Sequence, residues 1–144
     1  MNAEKIAILF TSQSVSDNQP PQRAVHCDGR IAKGIDGTYL MFNDVIDGAG
    51  RVDYSIKFAD RKAWIRRKGK WALDQPLDLD RLMQGSYATP FGTLTTEADA
   101  RSIAMEWDSA AGKGWAKLVY SLAVQGEAAG VMDMHFSFVR AADR

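Results

Sequence analysis

From Arg51 to Ala59 the chain alternates without a break. Val52, Tyr54, Ile56 and Phe58 share one parity, and Asp53, Ser55 and Lys57 share the other. A period of two puts successive side chains on opposite faces, so this stretch is a strand with one dry face and one wet face. The same alternation returns near the end, where Met132, Met134, Phe136 and Phe138 face Asp133, His135 and Ser137. It also returns in Trp115 to Val124, with Leu118, Tyr120, Leu122 and Val124 on one face. Short turn signals separate these runs: Asp36-Gly37, Asp47-Gly48-Ala49-Gly50, Asp60-Arg61, Gly69, Ala111-Gly112-Lys113-Gly114 and Gln125-Gly126. Asp-Gly between apolar runs is a hairpin signal with a steric cause, because such turns need residues that tolerate positive φ.

The sharpest reversal lies at Tyr87-Ala88-Thr89-Pro90-Phe91-Gly92. Pro90 fixes its own φ and drives Thr89 extended. Proline second and glycine fourth suit a type I turn. A strand therefore ends at Thr89 and a new one leaves through Thr93, with Tyr87 expected buried and its hydroxyl hydrogen-bonded.

Other strands follow in order. Glu4 to Ser14 carries Ile6, Ile8 and Phe10. Ser16 to Gln22, with Pro20-Pro21, is loop. Ala24 to Lys33 sets Val25, Cys27 and Ile31 against His26, Asp28 and Arg30, and Gly29 within it predicts a bulge or bend. Thr38 to Asp44 returns. Lys62 to Lys68 puts Ala63, Ile65 and Arg67 on one face, and Lys70 to Asp74 carries Trp71 and Leu73. Gln75 to Gly85 reads two ways: a short helix capped by Asp78 or Asp80, or a strand from Arg81 into the Pro90 turn. In Thr93 to Trp107 the small residues Ala98 and Ala100 sit on even positions, but Ile103, Met105 and Trp107 sit on odd ones. That change of phase predicts a bulge near Arg101-Ser102.

The sum is nine or ten strands joined by short turns, which implies consecutive antiparallel neighbours. Such a meander, with one apolar face, leaves no exposed edge only if it closes. The expected architecture is an all-β, single-domain, up-and-down antiparallel barrel. The length of 144 residues and an apolar content of 46% suit one packed domain.

Tyr87-Ala88-Thr89-Pro90-Phe91-Gly92 resembles the Tyr-x-Thr-Pro-Tyr/Phe-Gly signature of the YwiB-like family of small, uncharacterised bacterial proteins. Gly37-Thr38-Tyr39, Arg67-Lys68-Gly69 and the strands Lys117 to Leu122 and Met132 to Phe138 agree with it, in order, from about Ile6 to Arg140. Pro76-Leu77-Asp78-Leu79 departs from the pattern. The resemblance implies a calycin-type, lipocalin-like barrel and brings no activity with it.

Charge narrows the function classes. The 18 basic and 18 acidic residues cancel, so no global field draws the chain to nucleic acid or an anionic membrane. No apolar run approaches the ~20 residues of a membrane helix. The lone Cys27 rules out an intrachain disulfide and, with the missing signal-peptide core, points to the cytoplasm. Nothing indicates a cofactor. His26 and Cys27 are neighbours on a strand, so they face apart and form no dyad. No zinc-ligand spacing or phosphate-binding glycine loop is present. No residue can be named as catalytic, and an enzyme at the barrel mouth is the third of three readings.

The second reading is a protein- or single-stranded nucleic-acid-binding module using the basic, aromatic hairpin from Trp64 to Trp71. There the plainer alternative is a solvated tip whose tryptophans pack inward, and no appreciable nucleic-acid binding is expected. The first reading is a small apolar or amphipathic ligand inside the barrel. Arg67, Tyr87, Tyr120, Met132, Met134 and Phe136 are its candidate contacts. Arg67 is the expected polar anchor, placed inside with Ala63 and Ile65, whereas the other register of this strand would put Trp64 and Arg66 inside. The partner of Arg67 would be Glu97, Asp99, a backbone carbonyl, a tyrosine hydroxyl or the ligand's own acid group. The oligomeric state is not encoded in any pattern here.

Overall fold

The computed structural model describes residues 3–15, 22–46 and 50–141. The loop at 16–21 and the turn at 47–49, both expected from sequence, lie outside them. Ten strands follow in order: β1 (Ala3–Val15), β2 (Gln22–Lys33), β3 (Thr38–Ile46), β4 (Gly50–Ala59), β5 (Lys62–Lys68), β6 (Leu73–Asp78), β7 (Met83–Thr89), β8 (Gly92–Asp108), β9 (Lys113–Val124) and β10 (Glu127–Arg140). Each pairs antiparallel with its sequence neighbours, and β1 also pairs with β10, closing the barrel. Among the described residues there is no helix.

Inward residues are those the alternation selects. Ile6, Ile8, Leu40, Val52, Ile56, Ile65, Leu118, Phe136 and Phe138 are almost fully buried. The waist is filled by rings. Phe10 stacks on Phe136 at 4.7 Å, Phe42 stacks on Tyr54 at 4.8 Å, and the two stacks meet between Phe10 and Phe42 at 5.6 Å. Such pairs add to the area burial that drives closure.

The reversal at Pro90-Phe91 joins β7 to β8, with Thr89 opposite Gly92. The expected bulge is present as a register shift between Ala100 and Ser102. Gly29 is not a bulge, because register against β1 runs evenly through it, and on the β3 side it is the last paired residue. A Cβ there would lie 2.5 Å from the Ile8 side chain and 2.5 Å from the Met41 carbonyl, so glycine permits a close approach. Past the Gly29–Phe42 pair, β2 and β3 no longer share a ladder.

The region from Lys70 to Gly85 differs most from expectation. The expected strand from Lys70 starts only at Leu73 and continues through Pro76 to Asp78. Of the two readings for Gln75 to Gly85 the strand holds: β7 runs from Met83, two residues after Arg81, into the Pro90 turn, and the helix is not formed. Residues 79–82 form a turn in which the Asp78 carboxylate accepts the Asp80 N–H at 2.9 Å. Pro76 is tolerated because β6 pairs with β7 only at Leu73–Tyr87 and Asp74–Ser86, so no β7 residue opposite Pro76 asks for its missing N–H. The fully buried Gln75 bridges the lapse. Its amide donates to the carbonyls of Pro76 (2.7 Å) and Met83 (3.3 Å), and its oxygen accepts from the Thr96 hydroxyl.

Candidate ligand site at the barrel mouth

On β5, Ala63 and Ile65 are buried, and Arg67 follows on the same inward face, half-buried. Its cross-strand neighbours form one inner row: Phe42, Tyr54, Arg67, Leu73, Tyr87 and Leu94. The guanidinium therefore stands between two tyrosines. It lies 5.8 Å from the Tyr54 ring centre and 5.7 Å from that of Tyr87, within cation–π range. Its Nε donates to the Trp71 carbonyl at 2.9 Å and its Nη1 to the Tyr54 hydroxyl at 3.3 Å.

Both of these acceptors are neutral. Among the described residues no carboxylate comes within ion-pair distance of Arg67. Glu97 and Asp99, the two carboxylates considered as partners, alternate with the buried Thr96, Ala98 and Ala100 and so face outward. In the same β5–β6 turn the buried indole Nε1 of Trp71 has no hydrogen-bond partner among the described residues. A buried donor without an acceptor is uncommon in a folded protein. Among the described residues the mouth thus carries one cation without an anion and one N–H without an acceptor.

The remaining candidates divide by depth. Tyr120 is buried. Burial pushes its hydroxyl well above the usual tyrosine range, Tyr54 adds to that and Arg67 opposes it. Tyr120 therefore stays a neutral donor. Met132 is partly buried against the core, while Met134 and Phe136 are buried, Phe136 within the aromatic waist. Tyr87 is half-buried rather than buried, and its hydroxyl makes no hydrogen bond among the described residues, because a ring at the rim keeps its polar end in water. Of the partners considered for Arg67, a backbone carbonyl and a tyrosine hydroxyl are the ones present, although the sequence reading did not single out Tyr54 as that tyrosine. The signal was available: a turn at Asp60-Arg61 sets Ala59 opposite Lys62 and, counting back, Tyr54 opposite Arg67.

The outer hairpin is not the platform of two tryptophans that its sequence suggests. Trp64 points outward, 39% exposed, with the Arg66 guanidinium 4.2 Å above its ring and Asp74 accepting from its indole. Trp71 sits apart in the turn, half-buried. Elsewhere, His26 is exposed and Cys27 faces inward. Burial first, then Asp44 and Asp28, push the Cys27 thiol up, away from reactivity. His135 lies 2.8 Å from Asp133 on the exposed outer face of β10, with no hydroxyl or thiol hydrogen-bonded to it among the described residues. Nor does any group of three or more His, Cys, Asp or Glu among them suit a metal ion.

The crystal structure of the ywiB protein from Bacillus subtilis superposes with a TM-score of 0.83 at 18% identity, over 97% of this chain and 94% of that one. At that identity the likeness establishes the shared barrel. No curated protein matches the sequence. Residues 8–136 match the model of a domain of unknown function, DUF1934, and the chain belongs to that family.

Proposed function

We propose that the barrel binds a small amphipathic molecule through an acid group seated on Arg67. One observation carries this reading: an inward-facing guanidinium with no carboxylate partner among the described residues, held in place by two neutral acceptors. Taking a cation out of water is costly unless an anion meets it. A planar carboxylate answers the guanidinium fork with two parallel hydrogen bonds. Tyr54 and Tyr87 would flank that head group, with Tyr120 and Met132 deeper. The filled waist of Phe10, Phe42, Tyr54 and Phe136 limits the tail to a short chain or a single ring.

Thermal melts with short fatty acids and aryl carboxylates test this, each beside its matching alcohol. Acids should raise the melting temperature of the wild type, alcohols should not, and Arg67→Met should lose the response. A response to alcohol as large as that to acid, or one unchanged in Arg67→Met, would falsify the proposal. The capped Trp64 ring offers little surface for base stacking, so mixed-sequence oligonucleotides should show no micromolar, salt-sensitive anisotropy change.

A further inference from the structure

The outer wall formed by β1, β10 and their neighbours carries a self-complementary row. In cross-strand register it reads Asp28 (β2), Ala7 (β1), Val139 (β10) and Lys113 (β9). An acid closes one end, a base closes the other, and the small and large apolar residues lie between. Asp28 and Lys113 are both exposed, and neither makes an ion pair among the described residues. Val139 is 51% exposed, and in the adjoining row Leu9 and Trp115 are 38% and 44% exposed. A notch of about 410 Å³ lies beside Val139, lined by Ala7, Leu9, His26, Asp28 and Ser137 among others. It exists because Ala7 carries only a methyl group where its neighbours carry larger side chains.

We propose that this wall is the interface of a two-fold symmetric homodimer, with Val139 of each protomer in the Ala7 notch of the other. A two-fold axis along the strands, between β1 and β10, brings each row onto itself reversed. Val139 then faces Ala7 of the second copy, and Asp28 faces Lys113. One operation satisfies both the shape and the charge pattern, which is the requirement of an isologous contact. The row spans about 14 Å of curved wall, three strand spacings of about 4.8 Å. Its charged ends bend away from the contact line, and the long lysine side chain reaches across that opening. A contact this narrow falls at the low end of specific interfaces, so the dimer should be reversible and concentration-dependent. In the ring of ten strands β5 and β6 lie opposite β1 and β10, so association leaves Arg67 and its neighbours uncovered.

Sedimentation velocity across a concentration series tests the proposal, with thermal melts confirming that each variant folds. The wild type should show a monomer–dimer equilibrium. Asp28→Lys and Lys113→Asp should each weaken it by at least about tenfold, because each places two like-charge pairs in the dimer. An equimolar mixture of the two variants should restore association, since both charged contacts of the mixed dimer then join opposite signs. Val139→Asp should be monomeric alone and in mixtures. A wild type that sediments as a monomer throughout, single reversals without effect, or a mixture that stays monomeric would each overturn the interface.

Discussion

Among the described residues the two mouths of the barrel differ in how their inward-facing charges are met, although Arg51 and Asp53 also lie 3.6 Å apart on the outer rim of the Arg67 mouth. At the mouth beyond the turns at 34–37, 60–61 and 79–82, ionised side chains pair with one another. Lys57 holds Asp36 at 2.6 Å, Arg61 holds Asp80 through two hydrogen bonds, and Arg81 lies 3.4 Å from Asp78. Arg140 bonds Glu4 at 3.0 Å, and Asp108 accepts the N–H groups of Ala110 and Ala111 in the turn that follows. A concavity of about 740 Å³ lies there, lined by Phe58, Ile103, Met105 and Trp107 among others. Lys33 and Asp60, two rim charges without an ion pair among the described residues, are exposed to water. At the other mouth Arg67 has no anion and the Trp71 indole no acceptor among those residues. On the proposed reading, a cavity alone does not mark the binding end. Partly desolvated groups left without partners do, because only they gain from a ligand what water no longer supplies.

The largest expected effect falls at the paired mouth. The Trp107 ring packs against Phe138 at a centroid distance of 5.7 Å and is half-buried. Trp107→Ala should cost about 2 kcal/mol, below the ~3–5 kcal/mol of a fully buried aromatic. Urea unfolding at constant m-value measures it. The same variant should keep the wild-type response to carboxylates. Loss of that response would move the ligand to the paired mouth and reverse the comparison.

Arg67→Met should behave in the opposite way. Breaking a buried ion pair costs about 3–5 kcal/mol, because a charge is stranded. Here the groups left behind are neutral, a backbone carbonyl and the hydroxyl of the buried Tyr54, so the expected change is about 1–2 kcal/mol. A loss of about 3 kcal/mol or more, on the scale of a broken pair, would show Arg67 to be a strut, and the two mouths would no longer differ in kind. Tyr54→Phe is a smaller perturbation. It removes a long, 3.3 Å contact and keeps the ring stack on Phe42. We expect about 0.5 kcal/mol of stability change and a carboxylate response weakened but present, since the ring still flanks the guanidinium.

Much of this contrast was legible in the chain. The alternation in β4 and β5 gave the inward face, and the span Lys62–Lys68 coincides with β5. The switch of parity after Ala100 revealed the bulge, because a bulge is a local event with a direct sequence trace. The path of β6 was not legible. Its inward residues are Leu73, Gln75 and Leu77, and a polar residue at the centre of a six-residue strand erases the apolar alternation. What holds Gln75 there is the Thr96 hydroxyl and the Met83 carbonyl, contributed by strands whose register is fixed only on closure. The missing partner of Arg67 was hidden for the same reason. Glu97 and Asp99 are plausible by composition, and only the parity of β8 turns them outward.

The smallest effect should appear only in acid, and only at the paired mouth. The hydrogen bond from Lys57 holds the Asp36 carboxyl below its ordinary value, and that from Arg61 does the same for Asp80. A carboxyl whose folded pKa is depressed binds protons more readily in the unfolded chain. Its contribution to stability is therefore complete above the unfolded value of about 3.9 and is lost as pH falls through the lower folded value. Both pairs are exposed and screened, so the contribution is slight even when complete. The melting temperatures of Asp36→Asn and Asp80→Asn should lie slightly below that of the wild type at neutral pH, and the gap should close on acidification through this window. Because no carboxylate among the described residues pairs with Arg67, Arg67→Met should show no such convergence. A gap between Arg67→Met and wild type that closed in the same acid range would reveal a carboxylate serving that mouth, and the asymmetry between the two ends would be lost.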